Sequence, residues 1–349
     1  MNAPPPAEEL QTDGPYLFYK QEKIFVSYIK EKSGQKKAHL DSFQIADKKN
    51  ITLQIATDRP GETFAVKLKS KLVNEKAEYG KVDKLFILSD IEANFRALRT
   101  LLQANGVIDD KFNWTFGSGH LVLTGDFFDR GNQQNEVLWL IYGLEEKAKS
   151  AKGYVHFILG NHEIMNLSGD FRYVHPRYME HAKLLKEDYM QFYWDHSELG
   201  RWLRTKNIAE KINGILFVHG GISQYINLMG LAVGPINDLA RPFYPDTSFI
   251  YPDPRVELIY SEYGPFWYRG YYAGRERATQ TQVDSTLALF GARYIVTGHT
   301  IIADTISMLY EGKVFNTDVH HAKGIMEGLL VEGQTFYRVN AKGDKKRLR

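Results

Sequence analysis

An α/β core preceded by a small β-rich extension is the architecture that this 349-residue sequence predicts. Three observations carry it. A unit of short apolar strand, polar tip and helix recurs three times between Lys84 and the helix after Asn161. Ahead of it, from Tyr16 to about Leu72, apolar and polar residues alternate in short runs separated by turn signals. The rhythm changes at Lys84, so the chain divides into an extension, 1–80, and a larger domain, 81–349.

Residues 1–13 open with Met1-Asn2-Ala3-Pro4-Pro5-Pro6 and read as a Pro-rich, poorly ordered leader. Strands follow over 24–29, 51–55 and 63–68, with turns at Lys32-Ser33-Gly34 and Arg59-Pro60-Gly61. In the larger domain, the strand 85–88 ends at Ser89-Asp90, and Phe95, Leu98, Leu101 and Leu102 then share one helical face. The strand 120–123 runs into Gly125-Asp126, with a helix over 137–144, and the strand 155–159 ends at Gly160-Asn161. Residues 171–212, rich in Tyr and Trp, read as helical; their aromatics suit core or cap packing better than a substrate platform. Strands return at 215–218, ending at His219, and at 294–296, ending near Gly298-His299. Two more are expected at 313–316 and 328–331.

Composition excludes several function classes. The chain has no cysteine, which rules out disulfides, thiolate metal sites and a cysteine nucleophile. Lys plus Arg is 44 against 42 for Asp plus Glu, and the basic cluster Lys345-Lys346-Arg347 reads as a solvated tail, so no nucleic-acid partner is expected. No apolar run of about 18 residues suggests a membrane span. The first residues lack a signal-peptide core, which makes the cytoplasm the default compartment and leaves the periplasm open for a processed chain. Oligomeric state is not legible.

The polar tips carry the chemistry. Phosphate monoesters resist hydrolysis because water is a weak nucleophile and the phosphoryl group repels anions; two divalent ions roughly 3.5–4 Å apart answer both problems. Such a pair needs a carboxylate that bridges both ions, with Asp, Asn and His around it. Asp126, flanked by Gly125, suits the bridge, and Asp90 suits the first ion. Asn161, His219 and His299, each at a strand end beside glycine, suit the second. Oxygen and imidazole ligands favour Mn, Fe, Zn, Co or Ni. His162 suits the general acid that protonates the leaving oxygen, and Asp129 suits its orienter. Arg130 and Arg269 offer planar forks for phosphate oxygens. Each residue alone has a structural reading: a Gly-Asp turn, a capping Asn, a satisfied core histidine, a stacked arginine. Ligand-type residues at four strand ends together point to a site.

These residues resemble the calcineurin-like metallophosphoesterases, and within them the PPP-type protein phosphatases. The matching runs are Asp90-Ile91-Glu92, Gly125-Asp126-Phe127-Phe128-Asp129-Arg130-Gly131, Gly160-Asn161-His162-Glu163, and the later His219 and His299. The run from Gly160 through Asn166-Leu167-Ser168-Gly169-Asp170 to Val174 is similar to the Shewanella-like protein phosphatases, a group that includes a cold-active protein tyrosine phosphatase. The resemblance covers about residues 84–335. It implies a β-sandwich flanked by helices, a dinuclear metal site, and attack by metal-activated hydroxide without a phosphoenzyme. It also implies a phosphorylated protein or peptide as substrate, with phosphotyrosine foremost.

Glu92 departs from the family pattern, which has histidine there. Its carboxylate is expected to ligate the first ion and alter that site's metal preference; the other reading is a misdirected side chain and a weak first site. His321, in the pair His320-His321, either lies near the site and supplies a nitrogen or belongs to a surface pair. Two other functions stay open: a small-molecule or nucleotide phosphoesterase, and a catalytically impaired phosphate-binding protein.

Overall fold

The computed structural model describes residues 10–274 and 276–349. The chain begins with a three-stranded antiparallel sheet of β1 (Leu10–Lys20), β2 (Lys23–Lys32) and β3 (Gln35–Gln44), followed by the hairpin β4 (Thr52–Ala56) and β5 (Thr63–Lys67). The expected leader, 1–13, therefore divides: 1–9 lie outside the described residues, and the chain is already strand from Leu10. Polar residues and the turn-like Asp13-Gly14-Pro15 hide this strand in the sequence, and its pairing with β2 shifts register at that point. Strand β3 was not expected either. It buries almost nothing, so it has no alternation to read, yet it pairs with β2 continuously from Lys23↔Gln44 to Lys32↔Gln35.

The core continues with β6 (Glu78–Tyr79), β7 (Lys84–Leu88), α1 (Phe95–Ala104), β8 (His120–Leu123), α2 (Gln134–Ser150), β9 (Tyr154–Phe157) and α3 (Asn161–Ser168). The aromatic stretch is less helical than expected. It holds α4 (Pro176–Leu185), a 3-10 turn at Tyr189–Tyr193, α5 (Glu198–Leu203) and the whole of β10 (Ala209–Ile212). The proline at the first turn of α4 and the left-handed Lys186 after its last turn set that helix's limits. Next come β11 (Ile215–Val218), α6 (Gln224–Leu228), α7 (Val233–Ala240), α8 (Pro254–Tyr260), α9 (Gln280–Phe290) and β12 (Tyr294–Thr297). The chain closes with β13 (Ser307–Leu309), β14 (Val314–Asn316), β15 (Glu327–Glu332), β16 (Thr335–Asn340) and β17 (Lys345–Arg347).

Two six-stranded sheets, in the orders β13-β14-β12-β11-β10-β6 and β17-β16-β15-β7-β8-β9, form a sandwich flanked by helices, as the resemblance implied. Successive side chains on a strand point to opposite faces, and both faces here are apolar. Leu85, Ile87 and Val122 from one sheet meet Ile215, Phe217 and Val296 from the other in the sandwich interior. Their neighbours Phe86, Leu88, Leu121, Leu216 and Val218 face outward into a second cluster shared with the helices. Tyr16, Phe18, Ile24, Leu53 and Val66 of the N-terminal strands join that same cluster. Parallel pairing of β7 with β8, β8 with β9, and β11 with β12 brings the carboxyl ends of these strands to one edge, where α/β sheets hold ligands. Among the described residues no helix is long and apolar enough to cross a membrane.

Candidate active site

The loops beyond the strand ends continue the strand pairing. Asp90 N–H donates to Gly125 O (2.9 Å), Glu92 N–H to Asp126 O (2.9 Å), and Gly298 N–H to His219 O (2.9 Å). Asp90, Glu92, Asp126, Asp129, Arg130 and His299 all take left-handed backbone angles, with φ between 50° and 66°. Such angles are uncommon for residues with a Cβ and gather where a site over-determines the backbone. Gly125, at φ 91°, is required twice: a Cβ there would lie 2.6 Å from His219 Nδ1 and 2.7 Å from Gly160 Cα.

A buried cluster of lone pairs forms the centre. His219 Nδ1–H donates to Thr124 O (2.7 Å), a carbonyl that can only accept, which leaves Nε2 to face the cluster. That nitrogen lies 3.0 Å from Asn161 Oδ1, 3.1 Å from Asp126 Oδ2 and 3.2 Å from His299 Nδ1. Donor atoms of Asp126, His219 and His299 all lie within 4.8 Å of one another. Acceptors converging in a buried space favour a positive charge between them, a proton on His219 or a metal cation. Burial opposes protonation of His219, but the Asp126 carboxylate outweighs it and pushes this imidazole up to about 9. Burial would also raise Asp126, yet His219 and His162 hold it well below the usual carboxylate range. The donor set of one carboxylate, one amide oxygen and two imidazoles fits a divalent transition metal.

A second concentration of charge adjoins it. Both oxygens of Asp90 accept the His299 N–H, at 3.2 and 3.1 Å. Burial raises Asp90 to about 6, with His219 opposing and Asp126 adding to the rise. Asp318, which the sequence marks only as a neighbour of His320-His321, is buried too, and burial with Asp90 and Asp126 pushes it well above its usual range. Mutually repelling buried carboxylates on this side can hold another cation.

The other expected residues divide into two groups. His162 N–H donates to Asp126 Oδ1 (3.0 Å), its Nδ1 pairs with Asp129 Oδ2 (2.6 Å), and its Nε2 lies 3.8 Å from Asp126 Oδ2. Arg269 stands beside the cluster, with Nη1 donating to His299 O (2.5 Å) and Thr300 Oγ1 (3.0 Å). Arg130 stands at the mouth, its guanidinium 5.5 Å from the Tyr173 ring, and that ring also lies 5.2 Å from His162. Glu92 turns toward the mouth, where its carboxylate pairs with Arg130. His321 is buried, not part of a surface pair; burial lowers it to about 4, with the Ser89 backbone opposing. His320 is partly exposed and pairs with Asp304 (2.5 Å).

Glu163 has a role that the motif did not reveal. Fully buried, it accepts N–H groups from Gly160 (2.7 Å), Asp126 (2.9 Å) and Phe127 (2.7 Å), and so pins two of the loops together. The Glu163→Ala variant leaves three buried donors without acceptors. It is expected to lose about 3–4 kcal/mol of stability in a urea titration; a loss below about 1 kcal/mol contradicts the clamp.

Comparison with known proteins adds to this geometry. The family model described as calcineurin-like phosphoesterase matches residues 84–303. An uncharacterized protein of Schizosaccharomyces pombe is 31% identical over 254 residues, covering 70% of this chain and 75% of that protein. Shewanella-like protein phosphatase 1 of Plasmodium berghei is 26% identical over 262 residues, covering 69% of this chain and 70% of that protein. The crystal structure of a cold-active protein-tyrosine phosphatase from a psychrophilic Shewanella species aligns with TM-score 0.86 and 34% identity, covering 98% of this chain and 100% of that one. That coverage takes in the N-terminal strands as well as the sandwich.

Proposed function

The chain belongs to the calcineurin-like phosphoesterase family, and on that premise we propose that it removes phosphate from phosphorylated protein side chains, phosphotyrosine foremost. It is a hydrolase of phosphoesters. In this reading 81–349 is the catalytic domain and 1–80 an extension packed on it.

The observation that carries the reading is the placement of His162: Asp129 holds Nδ1 at 2.6 Å, and Nε2 faces the Asp126 carboxylate of the lone-pair cluster. Asn161, His219, His299 and Asp126 would hold one divalent ion, and Asp126 with Asp90 a second. Glu92, paired with Arg130 in this structure, would join the second set on leaving that partner. Bound there, two ions of the Mn, Fe, Zn, Co or Ni kind supply an acidified water and charge screening for the phosphate. Arg130 and Arg269 would grip phosphate oxygens. His162 Nε2 delivers a proton to the leaving oxygen, while Asp129 fixes the ring and stabilises its charge. A binding protein without turnover has no use for an acid, its orienter and two phosphate forks.

A cavity of about 770 Å³ opens beside Arg269, walled by Tyr263, Trp267 and Tyr268. Its aromatic walls suit a tyrosyl ring or peptide flanks. Turnover of a phosphotyrosine peptide is expected to exceed that of the matched phosphoserine peptide and of diadenosine tetraphosphate. Preference for the dinucleotide would replace this reading with a nucleotide phosphoesterase.

A further inference from the structure

Between the N-terminal strands and His162 runs a buried chain of hydrogen bonds that the catalytic reading does not use. Asp13 on β1 is 1% exposed. It accepts hydrogen bonds from Tyr16 Oη (2.6 Å) and Asn135 Nδ2 (2.9 Å), and pairs with His181 Nδ1 (2.5 Å). Asn135 lies in the first turn of α2, beside Gln134. Gln134 Oε1 accepts the N–H of Asp129 (2.9 Å), and its Nε2 donates to Tyr189 Oη (2.9 Å). Tyr189 Oη–H donates to Asn166 Oδ1 (2.6 Å), and Asn166 Nδ2 donates to Asp129 Oδ1 (2.9 Å). Asp129 is thus held at its backbone nitrogen and at one oxygen, while its other oxygen holds His162.

We propose that strand β1 is a positioning element for catalysis: Asp13, through Asn135 and Gln134 at the start of α2, fixes Asp129 and hence the direction of His162 Nε2. This rests on the reading of His162 as the general acid. A carboxylate taken out of water is costly unless its partners repay it. Asp13 accepts from Tyr16, from the Gly14 N–H and from Asn135, and pairs with His181; the bond to Asn135 reaches the residue next to the one that anchors Asp129. Pro15 O, accepting from Trp139 Nε1 (2.9 Å), ties β1 to the same helix one turn further on. Gln134, Asn135, Asn166 and Asp129 are all at most 1% exposed. A buried polar network with its bonds made is rigid, so strain at one end reaches the other. Small displacements matter here, because a misplacement of about 1 Å can cost about 100-fold in rate.

The leaving group separates positioning from mere stabilisation. Phenyl phosphate releases a basic phenolate that needs a proton, whereas 2,4-dinitrophenyl phosphate releases one that does not. With the full chain loaded with Mn²⁺, Asp13→Asn and Asn135→Ala are expected to lose about tenfold in kcat on phenyl phosphate. Loss on the dinitrophenyl ester should be less than about twofold, with metal content unchanged. The Asn135→Ala variant leaves Asp13 bound to His181 and Tyr16, so it reports on the link even where Asp13→Asn folds poorly. Equal losses on both esters, or none on either, overturn the proposal and leave β1 a structural strand. His162→Gln, measured in parallel, should show the same selectivity more strongly. If it loses both esters equally, the acid reading itself falls, and the proposal with it.

Discussion

Asp126→Asn is expected to lower kcat by at least about 10³-fold, the equivalent of about 4 kcal/mol of lost transition-state stabilisation. Asp126 occupies the centre of the site. One oxygen lies 3.1 Å from His219 Nε2 and the other accepts the His162 N–H at 3.0 Å. Asparagine keeps the shape and one acceptor but removes the charge that would balance bound cations, so the fold should stay while metal affinity falls. The checks are turnover of p-nitrophenyl phosphate at saturating Mn²⁺, metal content of the gel-filtered protein, and Tm. A variant within tenfold of the parent, with its metal retained, contradicts the bridging role.

His162→Gln ranks second, with an expected loss of about 10²–10³-fold in kcat and little change in KM. Burial alone would lower the imidazole's pKa, but in the ion-free site Asp126 and then Asp129 outweigh it and raise it above the ordinary value. The sign follows: the ring stays protonated to higher pH, and kcat falls as pH rises through the raised pKa. The glutamine variant has no such proton to lose, so its profile should lack that alkaline limb. A glutamine variant that keeps the limb, or that loses less than about tenfold, assigns the proton to another group.

The gathering of candidate residues at strand ends was legible in the sequence. Asp90, Asp126, Asn161, His219 and His299 all follow apolar strands, and β7, β8, β9, β11 and β12 bring those ends together. The burial of these strands was legible too, since Leu85-Phe86-Ile87-Leu88 is apolar throughout, but which face meets the other sheet was not. Side-chain partners across long sequence separations were not. Glu163 reaches back across the loop to the backbone of Asp126 and Phe127, and nothing in its own neighbourhood signals that. Asp318 looks like a turn residue until its burial beside Asp90 is seen. The sequence marks Glu92 as a departure, but only the fold supplies Arg130 as the partner its carboxylate reaches. In the extension, β1 and β3 lacked a readable pattern because one carries a turn-like bulge and the other has no buried face.

The most direct test of a metal-dependent phosphomonoesterase is a titration of chelator-stripped protein with Mn²⁺ while hydrolysis of p-nitrophenyl phosphate is followed. Stripped protein should show negligible turnover, and activity should return and saturate near about two equivalents per chain. Undiminished hydrolysis by the stripped protein, or equal recovery in Asp126→Asn, would contradict the account.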